Sequence, residues 1–306
     1  MTESQSENIS FDKDLCGIAN LRRFRHNAMA APFDVFVVHQ DAVYAEQAAW
    51  AAFEELDRIE SNLSRFIENS DVSRINSLAP GHPLQIGLET FECLQISIEM
   101  YKQTNGAFDI TFGSSHTGSN LLKLNEDDHT VELQTKGVRI DLGAVGKGYA
   151  ADKMGQVLCD WSIDTALISA GRSSILPIGT PAGLLGWPLT LSDPSDYSRL
   201  LARIHLSGQA LSASGLRKGP HIIDPRSGKP AKARLAAWSA AKTAAAADAL
   251  STAFMVMSVD KIRAFCSTHP DTAALLVNKK VGGRLLRFGQ WGKTDFICPP
   301  SAPLLS

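Results

Sequence analysis

Three short segments of the sequence carry side chains whose types and spacing could do chemistry. The first, PHIIDPRSGKP at 220–230, predicts a short strand through Ile222 and Ile223 that ends in Asp-Pro and Ser-Gly turns. His221 stands beside these turns, and histidine is the side chain best matched to proton transfer near neutral pH. A lone histidine is more often a hydrogen-bonded structural group, so both interpretations stay open.

The second segment is a glycine loop, DLGAVGKGYAAD, at 141–152. Gly143, Gly146 and Gly148 allow the backbone to approach a ligand closely, and the helix start presents free N–H groups suited to phosphate. Lys147 adds a positive point charge. The spacing matches neither a Walker A loop nor the Gly-x-Gly-x-x-Gly dinucleotide fingerprint. An ordinary tight turn is therefore the alternative interpretation.

The third segment, ADALSTAF at 247–254, places two oxygen-bearing side chains on one face of a predicted helix. Asp248 and Thr252 are four residues apart, so they lie one above the other. A carboxylate and a hydroxyl are hard ligands suited to Mg²⁺, which takes few protein carboxylates and fills its shell with water and phosphate oxygens. The alternative is a solvated polar face on an alanine-rich helix.

The elements that must position these segments alternate irregularly between helix and strand. Apolar periodicity predicts helices at 44–66, 88–103, 244–257 and 259–267. Strands are predicted at 33–38, 164–170 and 273–278, with a β pair formed by GWPLTLS and LLARIHLS. Residues 138–161 predict a strand, a glycine turn and a helix. This pattern favours an α+β class with mixed or antiparallel sheets over a doubly wound fold.

Composition narrows the class of protein. The net charge of −2 gives no electrostatic reason to expect nucleic acid or an anionic membrane as a partner. The five cysteines are far apart and odd in number, which predicts buried free thiols. The first 30 residues hold no secretory apolar run, and no membrane-spanning or anchoring segment follows, so a cytoplasmic protein is expected. The polar start predicts a flexible segment at 1–26, ahead of a single domain at 27–306.

Eight segments, taken together in the order in which they occur along the chain, resemble the ApbE family, the FAD:protein FMN transferases. They are AMAAPF, LSRF, SDVSRIN, NGAFDITFG, RIDLGAVGKGYAADKM, ALISAGRSSILPIG, HIIDPRSGKP and ADALSTAF. The resemblance spans about residues 27–278 and implies an α+β unit related to the tunnelling fold. It also implies binding of FAD, use of Mg²⁺, and transfer of the FMN half to a threonine or serine hydroxyl of a partner flavoprotein, with release of AMP.

The same resemblance assigns roles to individual residues. His221 is expected to handle the proton, and Asp248, Thr252 and the backbone carbonyl of Ala144 are expected to hold the metal. Cofactor contacts are expected from Met29, Phe66, Ala107, Phe108, Asp109, Asp141, Lys147 and Ile223.

The chain also departs from the family pattern. Ala30 and Ala31 stand where a Gly-Thr pair is common, and Arg172 replaces the second glycine of an Ala-Gly-Gly turn. Two alternatives to protein transfer stay open on the same scaffold. One is an FAD pyrophosphatase that uses water as the acceptor, and the other is a flavin-binding protein without turnover.

Overall fold

An eight-stranded antiparallel sheet organises the computed structural model, which describes residues 9–11, 15, 17–216, 219–279, 285–292 and 294–297. Its strands lie in the order β16 (Leu285–Phe288), β15 (Ala273–Asn278), β14 (Arg234–Ala241), β11 (Ala210–Gly215), β8 (Ser174–Ile178), β7 (Ala166–Ala170), β3 (Ala31–Val38) and β2 (Leu21–Ala28). Together with the helices below, this antiparallel sheet confirms the predicted α+β class.

A second antiparallel sheet covers one face of the first. Its order is β1 (Ile9–Phe11), β9 (Trp187–Asp193), β10 (Asp196–Leu206) and β17 (Thr294–Phe296). Apolar residues of both sheets, among them Trp187 and Trp238, form one buried cluster between them. The predicted pairing of GWPLTLS with LLARIHLS is confirmed as β9 and β10.

Helices cover the opposite face and enclose a larger apolar core. They are α1 (Ala42–Leu63), α2 (Asp71–Asn76), α3 (Leu88–Gln103), α4 (Gly146–Asp160), α5 (Ala244–Val256) and α6 (Val259–Thr268). Helix α5 lies against β11, β14 and α4. The predicted helices at 88–103, 244–257 and 259–267 are confirmed to within one residue at each end.

The described residues also form two small antiparallel sheets and a short 3-10 helix at Ser119–Leu121. One contains β4 (Leu84–Gln85), β6 (Thr130–Leu133) and β5 (Leu122–Asn125), and the other pairs β12 (Ile223–Asp224) with β13 (Lys229–Pro230). The second is the turn predicted for the histidine segment, closed by a hydrogen bond from Gly228 N to Asp224 O at 2.8 Å.

Two predicted elements are wrong in part. The first long helix ends at Leu63 and not at 66, because Ser64 is extended and accepts a hydrogen bond on its Oγ from Phe66 N. Residues 138–142 form no strand. Asn76 satisfies the backbone there instead, since its side chain bonds both Ile140 N, at 2.6 Å, and Ile140 O, at 3.0 Å.

The predicted flexible segment at 1–26 is also corrected where the structure describes it. Residues 9–11 form β1, and residues 21–26 lie in β2, paired along its length with β3. Cys93 and Cys266 are buried free thiols, whereas the Cys159 thiol is exposed, contrary to expectation. Cys16 and Cys298 lie outside the described residues. No helix in the described ranges has the length and apolar character needed to cross a bilayer.

Candidate functional site

One open cavity of about 860 Å³ collects nearly all the residues singled out in the sequence. Of the predicted site residues, those lining it are Met29, Ala107, Phe108, Asp109, Asp141, Ala144, Lys147, His221, Ile223, Asp248 and Thr252. Phe66 is not among them. Its side chain is 83% exposed and stacks on the Arg65 guanidinium, which in turn pairs with Asp141 at 3.4 Å.

The close crossing of α4 and α5 brings the glycine loop to the aspartate. Gly148 packs directly on the first turn of α5, and its N–H donates to Asp248 Oδ2 at 3.3 Å. A Cβ on Gly148 would lie 2.5 Å from the Ala244 carbonyl carbon and 2.8 Å from Ala245 Cα, closer than real side chains come to backbone atoms. The crossing of α4 and α5 at this distance therefore requires glycine at position 148.

Substituting Gly148 with alanine should destabilise the protein, whereas Gly146→Ala should not. A Cβ on Gly146 would meet only ordinary contacts, at 3.9 Å from Leu142 Cβ and 4.0 Å from Leu63 Cδ1. Alanine at 146 should be neutral or favourable for the helix. Overpacking at 148 should cost about 1–3 kcal/mol of unfolding free energy. Urea unfolding of both variants measures this, and equal stabilities would show that α4 can move away from α5 without cost.

Asp248, Thr252 and Ala144 offer a set of oxygen donors that fits Mg²⁺. Asp248 is only 4% exposed as a residue and lines the cavity together with Thr252. Among the described residues, no hydrogen bond reaches the Ala144 carbonyl, because Gly148 N bonds Asp248 and not Ala144. One carboxylate, one hydroxyl and one carbonyl match a metal that completes its shell with water and phosphate oxygens.

Hydroxyl groups from β11 orient these donors. Ser212 Oγ lies 3.1 Å from Asp248 Oδ1, and Ser214 Oγ lies 3.2 Å from Thr252 Oγ1. The two serines are two apart on a strand, so both point toward α5. Neither serine was predicted as a site residue, although the alternation in ALSASG is a sequence signal that could indicate both.

Lys147 brings a cation to the same wall of the cavity. Its Nζ donates to Gly143 O at 3.2 Å and lies 3.9 Å from Asp248 Oδ2. The ammonium group therefore stands beside the proposed metal donors, where it can meet an anionic ligand held by both.

His221 is held in one tautomer by its own turn. Its Nδ1 lies 2.9 Å from Gly219 O, and a carbonyl oxygen can only accept, so Nδ1 carries the proton in the neutral ring. Nε2 is then the basic nitrogen. Since His221 is exposed and lines the cavity, this nitrogen is accessible to a hydroxyl that approaches from solvent.

Asp224, the other ionisable group of this turn, is a poor alternative base. Partial burial raises its pKa, but hydrogen bonds from Arg226 outweigh that effect and leave the pKa below its ordinary value. Arg226 donates to both carboxylate oxygens, at 2.8 and 2.9 Å. The pair stiffens the hairpin, and the lowered pKa makes the Asp224 carboxylate a weak base.

Asp152 anchors the start of α5 from α4. Its oxygens accept hydrogen bonds from Ala244 N at 2.7 Å and Ala245 N at 2.9 Å. Burial raises the pKa of Asp152 from 3.8 to about 6, although these two bonds oppose the shift. Asp152 stands at the end of the glycine-loop segment, where its local sequence gives no sign of this role.

The raised pKa of Asp152 has a consequence for stability. The folded protein binds this proton more tightly than the unfolded chain, so protonation stabilises the fold as pH falls from above 6 toward 4. The unfolding free energy of the parent, measured relative to that of Asp152→Asn, should therefore increase as the pH is lowered from 7 to 5. Urea unfolding with a metal chelator present measures this difference. A pH-independent difference would mean that Asp152 titrates normally.

Asp109 and Asp141 are fixed at the cavity by short local bonds. Asp109 Oδ1 accepts from Thr111 Oγ1 at 2.7 Å and Ser119 Oγ at 2.8 Å. Asp141 Oδ1 accepts from Gly143 N at 2.9 Å. In each carboxylate, Oδ1 makes the local bonds that orient the group. The second oxygen makes none of these bonds, and in Asp141 it pairs with Arg65.

Met29 reaches the cavity from the turn between β2 and β3. Met29 and Ala30 have φ of 51° and 54°, the left-handed conformation of a two-residue hairpin turn. Glu60 of α1 accepts from Met29 N at 2.7 Å and so holds the turn against the helix. Glu60 gave no signal in the sequence, because only the folded chain brings it near Met29.

The sequence profile of the ApbE family matches residues 29–276. The chain belongs to the ApbE family. Two similar relatives are both named FAD:protein FMN transferase. That of Buchnera aphidicola (subsp. Schizaphis graminum) is 26% identical over 74% of this chain and 77% of its own length. That of Treponema pallidum is 26% identical over 77% of this chain and 80% of its own.

Solved ApbE structures have the same fold. The ApbE protein of Thermotoga maritima superposes with a TM-score of 0.77 at 26% identity, covering 88% of this chain and 97% of its own. The flavin transferase ApbE of Vibrio cholerae has a TM-score of 0.77 at 20% identity, over 88% of this chain and 96% of its own. The ApbE architecture thus accounts for the elements that surround the cavity.

Proposed function

We propose that this member of the ApbE family is an FAD:protein FMN transferase that moves FMN from FAD to a threonine or serine hydroxyl of an acceptor protein. The observation that carries the proposal is the single cavity that joins His221, Lys147 and the donors Asp248 and Thr252. A base, a cation and hard oxygen donors around one space suit phosphoryl transfer, in which positioning and charge neutralisation supply most of the catalysis.

The reaction is a displacement at the phosphorus of the FMN half. The acceptor oxygen forms a bond to that phosphorus, and the bond from the phosphorus to the bridging oxygen of the pyrophosphate breaks. The bridging oxygen leaves with AMP, and Nε2 of His221 takes the hydroxyl proton. Nδ1 keeps its proton and its bond to Gly219 O, which holds the ring in place during the transfer.

The remaining residues bind and orient the dinucleotide. Asp248, Thr252 and Ala144 would hold Mg²⁺, which supplies neutralisation of the pyrophosphate charge when it is bound. Lys147 adds a second positive charge beside them. We assign the flavin-proximal contacts to the remaining cavity residues, with Phe66 closing over the ligand from its exposed position. These residues are Met29, Ala107, Phe108, Asp109, Asp141 and Ile223.

Product analysis separates transfer from its two alternatives. Purified protein is incubated with FAD and Mg²⁺, with and without an acceptor that carries an Asp-x-x-[Ser/Thr]-Gly-Ala-Thr-like segment. Fluorescent covalent flavin on the acceptor, together with AMP, supports the proposal. If FMN is released free together with AMP, and the acceptor makes no difference to the yield, the protein is a pyrophosphatase. If FAD binds and no AMP forms, it is a binding protein.

A further inference from the structure

Arg172 lines the cavity from a backbone conformation that suits glycine better. It follows Gly171 in the turn between β7 and β8, and the two residues have φ of 54° and 59°. The left-handed region brings the Cβ of an L-residue too close to its own backbone. Strained residues of this kind concentrate at functional sites, where the side chain has a use that offsets the strain.

The turn also stands directly against Lys147. A Cβ placed on Gly171 would lie 3.6 Å from Lys147 Cδ and 3.9 Å from Lys147 Cε. The lysine stem therefore passes Gly171, the chain neighbour of Arg172, and Lys147, Gly171 and Arg172 all line the cavity. Lys147 Nζ lies 3.9 Å from Asp248 Oδ2, so this part of the wall adjoins the metal donors.

We propose that Arg172 binds a phosphate of the dinucleotide and thereby makes this site selective for flavins that carry a diphosphate. This inference rests on the proposed function, because it takes FAD as the ligand of the cavity. A guanidinium is planar and can hold two phosphate oxygens at once, whereas Lys147 acts as a point charge. The opposite arrangement, in which Arg172 obstructs the diphosphate, predicts tighter binding when the side chain is removed.

The test compares ligands that differ in phosphate number. Equilibrium binding of FAD, ADP and riboflavin is measured for the parent, Arg172→Gly and Arg172→Lys. Loss of hydrogen bonds to a charged group should weaken FAD and ADP binding about 10-fold to 100-fold in Arg172→Gly. Riboflavin affinity should not change, and Arg172→Lys should fall between the parent and the glycine variant. The effect on FAD should shrink as salt is raised.

A matched control separates the effect of losing the cation from the effect of relieving the backbone strain. Ser162 also has a left-handed φ, 54°, and lies outside the cavity, so Ser162→Gly relieves similar strain without removing a cation. It should bind all three ligands as the parent does. Unchanged or tighter FAD binding in Arg172→Gly, or an equal loss for riboflavin, would overturn the inference. Release of AMP by the parent enzyme is measured separately, so failure of the proposed function is distinguishable from failure at Arg172.

Discussion

Replacing Asp248 with alanine should abolish AMP release at ordinary Mg²⁺ concentrations and leave the protein folded. Asp248 brings a full negative charge to the proposed metal, and nothing else in the donor set replaces that charge. Alanine is the strongest helix former, so α5 should persist. Thr252→Ala removes one neutral oxygen that water can replace. It should raise the Mg²⁺ concentration required and retain some turnover at saturation.

AMP release against Mg²⁺ concentration distinguishes the two variants, with circular dichroism as the folding control. Thr268→Ala is a matched control for Thr252, since both hydroxyls bond back to the carbonyl four residues earlier and Thr268 lies on α6, outside the cavity. The control should keep the parent's Mg²⁺ dependence. A folded Asp248→Ala protein with the parent's Mg²⁺ dependence would mean that α5 carries no metal.

His221→Ala should bind FAD nearly as well as the parent and turn it over about 10²-fold to 10⁴-fold more slowly, the usual loss when a general base is removed. Binding should survive because the ring is exposed and, within the described part of the chain, its side-chain hydrogen bond is to Gly219 of its own turn.

His82→Ala is the matched control for His221. His82 is likewise exposed and has Nδ1 3.1 Å from the carbonyl oxygen two residues earlier, at Pro80, but it lies outside the cavity. Its loss should change neither rate nor affinity. Transfer at the parent rate by His221→Ala would show that His221 is structural. Asp224 would be a poor substitute base, because Arg226 holds its pKa low.

The five longer helices and the chemical groups of the site were predictable because their signals are local, whereas the short helix α2 was not predicted. Apolar spacing gave α3 its observed ends, 88 and 103, and the spacing of Asp248 and Thr252 placed both on one face of α5. His221 stood out because it adjoins a turn that its own neighbours dictate. These inferences need no knowledge of distant parts of the chain.

The central strands β11 and β14 were not predicted, for a physical reason. They consist mainly of alanine and serine, which have little strand propensity. Both are covered by α5 on one face and by the second sheet on the other, so small side chains are needed for close packing. Ser239 of β14, for example, bonds the Ala247 carbonyl of α5. The serines that orient Asp248 and Thr252 escaped notice together with β11.

Long-range contacts account for the other differences between the sequence-based predictions and the structure. The absence of a strand at 138–142 goes with Asn76, which bonds both backbone groups of Ile140 and is more than sixty residues away in sequence. Asp152 and Glu60 likewise act on backbone groups of other elements. Nothing in the local sequence around any of these residues specifies its partner.

The most direct test of the account is the stoichiometry of a transfer reaction. Limiting FAD is incubated with the protein, Mg²⁺ and an acceptor bearing the threonine segment, and AMP and acceptor-bound flavin are both quantified. We expect equal molar amounts of AMP and protein-bound FMN, with no bound flavin when the acceptor threonine is changed to valine. AMP formation with an acceptor that stays unlabelled would contradict it.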